Sequence, residues 1–218
     1  MATILCLETA TTNCSVALSI NGSVVAIEED SNKLYSHAEK LHAFIEKVCD
    51  EASVSIQELD AIAVSMGPGS YTGLRIGVSA AKGLCFALEI PLISISTLES
   101  LASQISAETK FVVPMLDARR MEVYAAVFSD NKQVRKTMAE IIVSDSFLEY
   151  LEQDAVTFVG SGVEKFKSVC NHSNAVFVEN KLPSACQMAK LAEAKYKISD
   201  TEDVAYFEPY YLKDFITS

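Results

Sequence analysis

Apolar residues come in short dense runs separated by polar turns, and the period of the runs changes along the chain. Residues 3–8 and 14–20 read as strands, the first of them central because it is apolar on both faces. Asn21-Gly22 then makes a two-residue hairpin turn into a third strand at 23–28. A helical period takes over at 35–52, where Leu34, Ala38, Leu41, Ile45 and Val48 share one face with Phe44 beside them. A strand at 61–66 runs into the turn Gly67-Pro68-Gly69, and a long helix at 70–88 follows, with Ser70 or Thr72 as its cap and Pro91 as its stop. A short strand at 92–95 and a short helix at 97–105 complete the order β-β-β-α-β-α-β-α.

The second half repeats that order without repeating the sequence. Strands are predicted at 111–116, 121–128 and 138–143, and a helix at 146–152 capped by Ser144 or Asp145. A strand at 156–159, a helix after Gly162, a strand at 175–178 and a helix at 184–195 follow. Three antiparallel strands followed by alternating helices and strands give a mixed sheet covered by helices. The pattern therefore predicts an α/β fold of two tandem lobes, 1–106 and 107–218, joined by the polar stretch 106–110. Two such copies describe the actin-like (ASKHA, ribonuclease H-like) superfamily, in which the opening hairpin of each copy faces a nucleotide between the lobes. The aromatic segment 204–218 is expected to pack back on the body.

Composition narrows the function classes. Half of the 218 residues are hydrophobic and 22% are charged, as in a folded globular protein. The net charge of −11 repels a phosphate backbone, so a grip on RNA would have to come from a basic partner. The cysteines Cys6, Cys14, Cys49, Cys85, Cys170 and Cys186 form no C-x-x-C pair and sit mostly in apolar runs, which predicts buried thiols in a reducing compartment. The first residues lack a basic n-region, Glu8 interrupts the apolar run, and no stretch is long enough to span a membrane. A cytoplasmic protein is expected.

The strand–turn–helix at 60–88 presents free backbone N–H groups at a helix start, which suits either an anion or simply a tight turn. As a dinucleotide fingerprint the glycine spacing is one residue too long, and no Gly-Lys-Ser/Thr is present to make a P-loop. A nucleophile elbow needs Gly where Pro68 stands, so Ser70 is a poor nucleophile. His37 and His42 are five apart and diverge on a helix, and no H-x-x-x-H occurs; both read as helix-surface residues near a partner. Glu8 and Asp117 head the two hairpins. Acids there hold Mg²⁺ or orient water in actin-like hydrolases, or else they cap their turns or pair with Arg119 or Arg120. Thr9, Thr11 and Thr12 would add unspecific phosphate contacts. Gly73, Gly77, Ala80, Ala81, Gly83 and Ala87 let another helix approach the 70–88 helix closely, although a core helix looks much the same.

The string from Gly67 to Gly77, Gly-Pro-Gly-Ser-Tyr-Thr-Gly-Leu-Arg-Ile-Gly, resembles the signature of the TsaB (YeaZ) family, bacterial proteins of threonylcarbamoyladenosine synthesis on tRNA. Asp117-Ala118-Arg119-Arg120-Met121-Glu122-Val123-Tyr124 resembles the family's second motif, with Met121 where Gly is usual. Pro209-Tyr210-Tyr211-Leu212-Lys213 resembles its Pro-x-Tyr-Leu-Arg tail, with Lys for Arg. On this resemblance the motif residues are Gly67, Pro68, Gly69, Ser70, Thr72, Gly73, Arg75, Gly77, Asp117 and Arg119.

The resemblance implies a non-catalytic subunit of the transferase that modifies N6 of the adenosine beside the anticodon. Such a subunit pairs with TsaD, helps recruit the ATPase TsaE, meets tRNA only through the complex, and forms a homodimer when alone. The implied partner face is a helix pair that completes a four-helix bundle: Ala38, Leu41, His42, Ile45 and Val48 on one helix, and Gly73, Ile76, Gly77, Ala80, Gly83 and Ala87 on the other. TsaD carries a metal-binding H-x-x-x-H in a stretch resembling residues 90–101. Its two histidine positions fall on Thr97 and Leu101 here, which leaves no ligand pair. The resemblance thus implies no catalytic residue, no metal and no tightly bound cofactor. It leaves room for an adenine nucleotide in the complex, with Glu8, Thr9, Thr11 and Asp117 as the weak nucleotide-binding set. An actin-like ATPase or phosphotransferase, and a metal-dependent peptidase, are the competing readings.

Overall fold

A computed structural model describes residues 2–31, 37–106 and 109–213. The chain divides into two compact units, Met1–Ser100 with Pro183–Tyr211, and Leu101–Leu182 with Leu212–Ser218.

In the first unit, β1 (Thr3–Glu8), β2 (Cys14–Ile20) and β3 (Ser23–Asp30) are antiparallel, while β4 (Ala61–Gly67) and β5 (Leu92–Ser96) continue the sheet in parallel on the other side of β1. The sheet order is β3-β2-β1-β4-β5. The period-2 alternation of a strand explains how β1 is buried on both faces. Leu5 and Leu7 join Val16, Leu18, Ile62 and Val64 on one face. Against that face lie α1 (His37–Ala52), through Leu41, Ile45 and Val48, and α2 (Tyr71–Leu88), through Val78, Ala81 and Cys85. Ile4 and Cys6 point the other way, with Ala17, Ala63, Ile93 and Ile95. The last helix among the described residues, Ala185–Lys197, covers that second face through Ala185, Met188 and Ala192.

Helix α3 (Thr97–Ala102) leads to the second unit: β6 (Phe111–Asp117), β7 (Glu122–Ser129), β8 (Lys132–Ile141), α4 (Leu148–Leu151), β9 (Val156–Val159), α5 (Val163–Lys167) and β10 (Ala175–Val178). Its sheet order, β10-β9-β6-β7-β8, is that of the first sheet read from the other end. Both sheets are mixed, so the two-lobed α/β architecture expected from the hydrophobic pattern is present. The second core is aromatic: Phe158 lies 4.7 Å from Phe166 and 5.7 Å from Phe147, ring centre to ring centre. Edge-to-face pairs of this kind add about 0.5–1.5 kcal/mol beyond their burial.

Two expectations change. The Ala185–Lys197 helix, α6, packs on the first sheet, so residues 183–211 go with the first unit and not with 107–218. A polar connection marks where the chain leaves a lobe but carries no signal that it returns. β8 begins at Lys132, six residues before the predicted strand. Asp130 and Asn131, both at positive φ, turn the chain tightly, and Ser129 pairs with Lys132 across that turn. This edge strand is mostly exposed, so no apolar alternation announces it. The expected start of the first long helix at Tyr35, with Leu34 on its face, lies outside the described residues.

Helix α2 starts as the sequence suggests. Ser70 is its N-cap, and its hydroxyl oxygen accepts from the Gly73 N–H at 3.3 Å. Ser70→Ala should cost about 1 kcal/mol, read as a lower urea midpoint at unchanged slope. All six cysteines are free thiols. Burial pushes Cys6 up to about 12 and Cys14 and Cys85 to about 11, which makes them inert at neutral pH. No described helix is long and apolar enough to cross a membrane.

Candidate partner-docking surface

The motif turn is closed by its own chain. Where β1 ends, Thr9 and Ala10 lie directly on the start of α2. The Ser70 N–H donates to the Ala10 carbonyl at 2.6 Å, and the Thr9 hydroxyl donates to the Gly73 carbonyl at 2.8 Å. A Cβ at position 73 would stand 2.1 Å from the Thr9 carbonyl oxygen, and one at 77 would stand 2.3 Å from Thr9 Oγ1. Only a residue without a side chain permits that approach. Two donors at the helix start, the N–H groups of Ser70 and Gly73, are therefore already occupied.

Two of the expected nucleotide contacts are turned inward. Glu8 and Thr9, two of the weak nucleotide-binding set, are fully buried. Glu8 Oε1 accepts from the Ala10 N–H at 2.6 Å, and Oε2 is buried without a hydrogen-bond partner. Burial pushes this carboxyl up to about 7, only partly opposed by hydrogen bonds from Ala10, Ser65 and Thr9. Thr11 is half-buried, and its hydroxyl oxygen accepts from the Asn13 N–H at 3.3 Å. In the second unit, Asp117 Oδ1 accepts from the Arg119 N–H at 2.6 Å and pairs with Lys165 at 2.9 Å. Each hairpin acid thus braces its own turn two residues on.

His37 corrects another expectation: it is buried, not on the helix surface. Its Nε2 donates to the Thr11 carbonyl at 2.7 Å, and burial lowers its pKa. His42 is exposed. Thr97 and Leu101 are both buried, the Thr97 hydroxyl without a partner. Among the described residues no group of three or more His, Cys, Asp or Glu side chains could hold a metal.

The expected partner face divides in two. Leu41, Ile45 and Val48 belong to this chain's own core, and Gly73 and Gly77 seat Thr9 instead of admitting a second helix. An apolar helical stripe reads the same whether it faces a core or a partner, so the sequence could not separate the cases. What remains outward is Ala38 and His42 on α1, and on α2 the half-buried Ile76 and Ala80 with exposed Gly83 and Ala87. Positions 76, 80, 83 and 87 follow 4-3-4 spacing and form one stripe, small at Ala80, Gly83 and Ala87 and headed by Ile76. A Cβ at Gly83 would meet nothing within 4 Å, so Gly83→Ala should stabilise the isolated chain by about 0.5–1 kcal/mol in a urea melt.

The structure also brings together two motifs far apart in sequence. Arg75 Nε donates to the Tyr211 hydroxyl at 3.2 Å, with its guanidinium 4.0 Å above the Tyr71 ring. The Tyr71 and Tyr211 rings lie 4.8 Å apart. Lys82 holds the carbonyls of Ala205 and Phe207 at 3.1 and 2.9 Å, and the Tyr210 N–H donates to the Met66 carbonyl at 2.7 Å. The tail is thereby strapped along α2. Exposed Phe86 and Tyr206, beside this strap, had no signal in the sequence beyond being aromatic.

Comparison with known proteins agrees with this architecture. A family model described as TsaD, tRNA N6-adenosine threonylcarbamoyltransferase, matches residues 34–215. The chain is 30% identical to the tRNA threonylcarbamoyladenosine biosynthesis protein TsaB of Haemophilus influenzae over 99% of its length and 95% of the relative's. It is 31% identical to the Escherichia coli TsaB over 97% of its length and 94% of that protein's. Among solved structures, YeaZ from Pseudomonas aeruginosa superposes with a TM-score of 0.83 at 28% identity, covering 97% of this chain and all (100%) of that one. A second Pseudomonas aeruginosa structure, of an uncharacterized protein with similarity to peptidase YeaZ, gives 0.86 at 27% identity over 98% and 100%. With relatives of matching length, the same fold and the signature turn at Gly67–Gly77 in place, the chain belongs to the TsaB (YeaZ) family.

Proposed function

We propose that this protein works in tRNA threonylcarbamoyladenosine biosynthesis as a non-catalytic subunit that pairs with a TsaD-type transferase and helps recruit TsaE. The names of its full-length relatives support the pathway. The scaffold role is supported chiefly by one observation: the helix start that could have offered free N–H groups to an anion is closed by Thr9 and Ala10 of the chain's own first hairpin. The occupied turn argues against the ATPase reading. Thr97 and Leu101, in place of a ligand pair, argue against the peptidase reading. An adenine nucleotide, if the assembly uses one, belongs to a site completed by a partner. The chain reaches tRNA only through the complex, consistent with its net charge of −11.

The pairing surface is the outward stripe of α2 with Ala38 and His42 of α1, and the same stripe makes a homodimer when the chain is alone. Small residues let helix backbones approach closely, so a charge placed there is costly to the complex and to the homodimer but harmless to the fold of the single chain. Gly83→Asp and Ala87→Asp should leave thermal melting within a few degrees of wild type when both are diluted to monomer, yet abolish co-purification with TsaD of the same organism. Retained co-purification by both variants would remove this surface from the account.

A further inference from the structure

Arg75 stands out among the charged groups of this chain. The protein has 29 acidic and 18 basic residues, so an exposed cation has acids to choose from. Arg135 shows the usual outcome, bonding both oxygens of Glu140 at 2.8 Å each. Arg75 is different. The groups that act on its guanidinium are Tyr71 and Tyr211, and it makes no ion pair among the described residues. Nε donates to the Tyr211 hydroxyl, and the two tyrosine rings hold the group in place. A guanidinium fixed in this way has lost little further freedom when it meets a carboxylate, and that is what makes an arginine an effective anchor at an interface.

Its surroundings extend the point. Arg75, Ser79, Lys82 and Phe86 follow the same 4-3-4 spacing as the small-residue stripe, one residue and so about 100° round the helix. This second stripe flanks the first for roughly 16 Å. Lys82 binds the carbonyls on either side of Tyr206, which sets that ring beside the stripe. Phe86 is 83% exposed and Tyr206 is 84% exposed. Arginine and tyrosine are the residue types that dominate binding energy at protein interfaces.

We propose that Arg75, clasped by Tyr71 and Tyr211, is the anchor for a carboxylate side chain of the TsaD-type partner, and that Phe86 and Tyr206 take an apolar side chain of the same partner about 16 Å further along the helix. The inference rests on the pairing proposed above and adds to it a charged contact on the flank of the small-residue stripe. Charge complementarity selects the occupant: the chain as a whole carries a net charge of −11, and Arg75 is a preorganised cation that no acid among the described residues pairs with.

The test measures binding of the partner subunit from the same organism to the wild-type chain and to Arg75→Met, Arg75→Lys and Tyr211→Phe, at about 50 and 300 mM salt. Methionine keeps an apolar stem over the Tyr71 ring, so Arg75→Met should melt close to wild type. It should bind roughly tenfold more weakly at low salt and lose part of the salt dependence. Arg75→Lys keeps the charge and should retain the salt dependence. Tyr211→Phe keeps the ring and should bind within a few-fold of wild type. Wild-type binding by Arg75→Met would overturn the anchor while leaving the pairing intact. So would a Tyr211→Phe loss equal to that of Arg75→Met with both melting low, since Arg75 would then only pin the tail. A wild-type chain that fails to bind the partner at all would overturn the pairing itself, and the anchor with it.

Discussion

Gly73→Ala is expected to destabilise the isolated chain by about 3 kcal/mol, seen as a lower urea midpoint at unchanged slope. The added methyl would sit 2.1 Å from the Thr9 carbonyl oxygen, which is backbone at the end of a central strand and cannot swing aside. Relief would require lifting the Thr9–Ala10 turn, with loss of the bonds from Thr9 to Gly73 and from Ser70 to Ala10. The same substitution ten residues on, at Gly83, should have the opposite sign because nothing stands there. Helix propensity alone would make both changes stabilising, so the pair separates close approach from propensity. A Gly73→Ala chain as stable as wild type would mean that the turn does not sit on α2.

Glu8→Gln should change how stability depends on pH. The folded-state value of about 7 lies above the ordinary 4.5 because the carboxyl is fully buried with one oxygen unpartnered. The folded state therefore binds the proton more tightly than the unfolded state does. The contribution of Glu8 is fully present below about pH 4.5 and is lost as pH rises through about 7. By pH 9 the ionised carboxylate should cost on the order of 3 kcal/mol relative to the neutral form. Glutamine carries no such charge and can still accept from the Ala10 N–H through its amide oxygen. Urea melts of both proteins at pH 5 and pH 9 should show the variant gaining on wild type at the higher pH by that amount. A constant difference across the range would show that Glu8 does not titrate there.

Much of the architecture could be read from the pattern of the chain. Asn21-Gly22, the apolar run at residues 3–8, Ser70 as cap and the order of the second round of strands are as expected. What failed to show was tertiary. The amphipathic face of α1 was legible, but its destination was not, because Leu41, Ile45 and Val48 present the same spacing to a core as to a partner. Gly73 and Gly77 looked like a helix-packing stripe, whereas the element that approaches them is a turn sixty residues earlier. The return of α6 to the first sheet, and the meeting of Arg75 with Tyr211, involve separations over which local pattern carries no information. The first six residues of β8 gave no signal for the opposite reason: a polar edge strand has no hydrophobic face to advertise.

The central claim is that this chain contributes shape and surface to a modification reaction whose chemistry belongs to a partner. An omission experiment reads it directly. Purified chain, the TsaD-type subunit, TsaE, threonylcarbamoyl-AMP, ATP and unmodified tRNA are combined, and modified adenosine is measured with each protein left out in turn. The account predicts product in the complete mixture, a large loss without this chain, and none when this chain is the only protein present. Modified tRNA formed by this chain alone would contradict it.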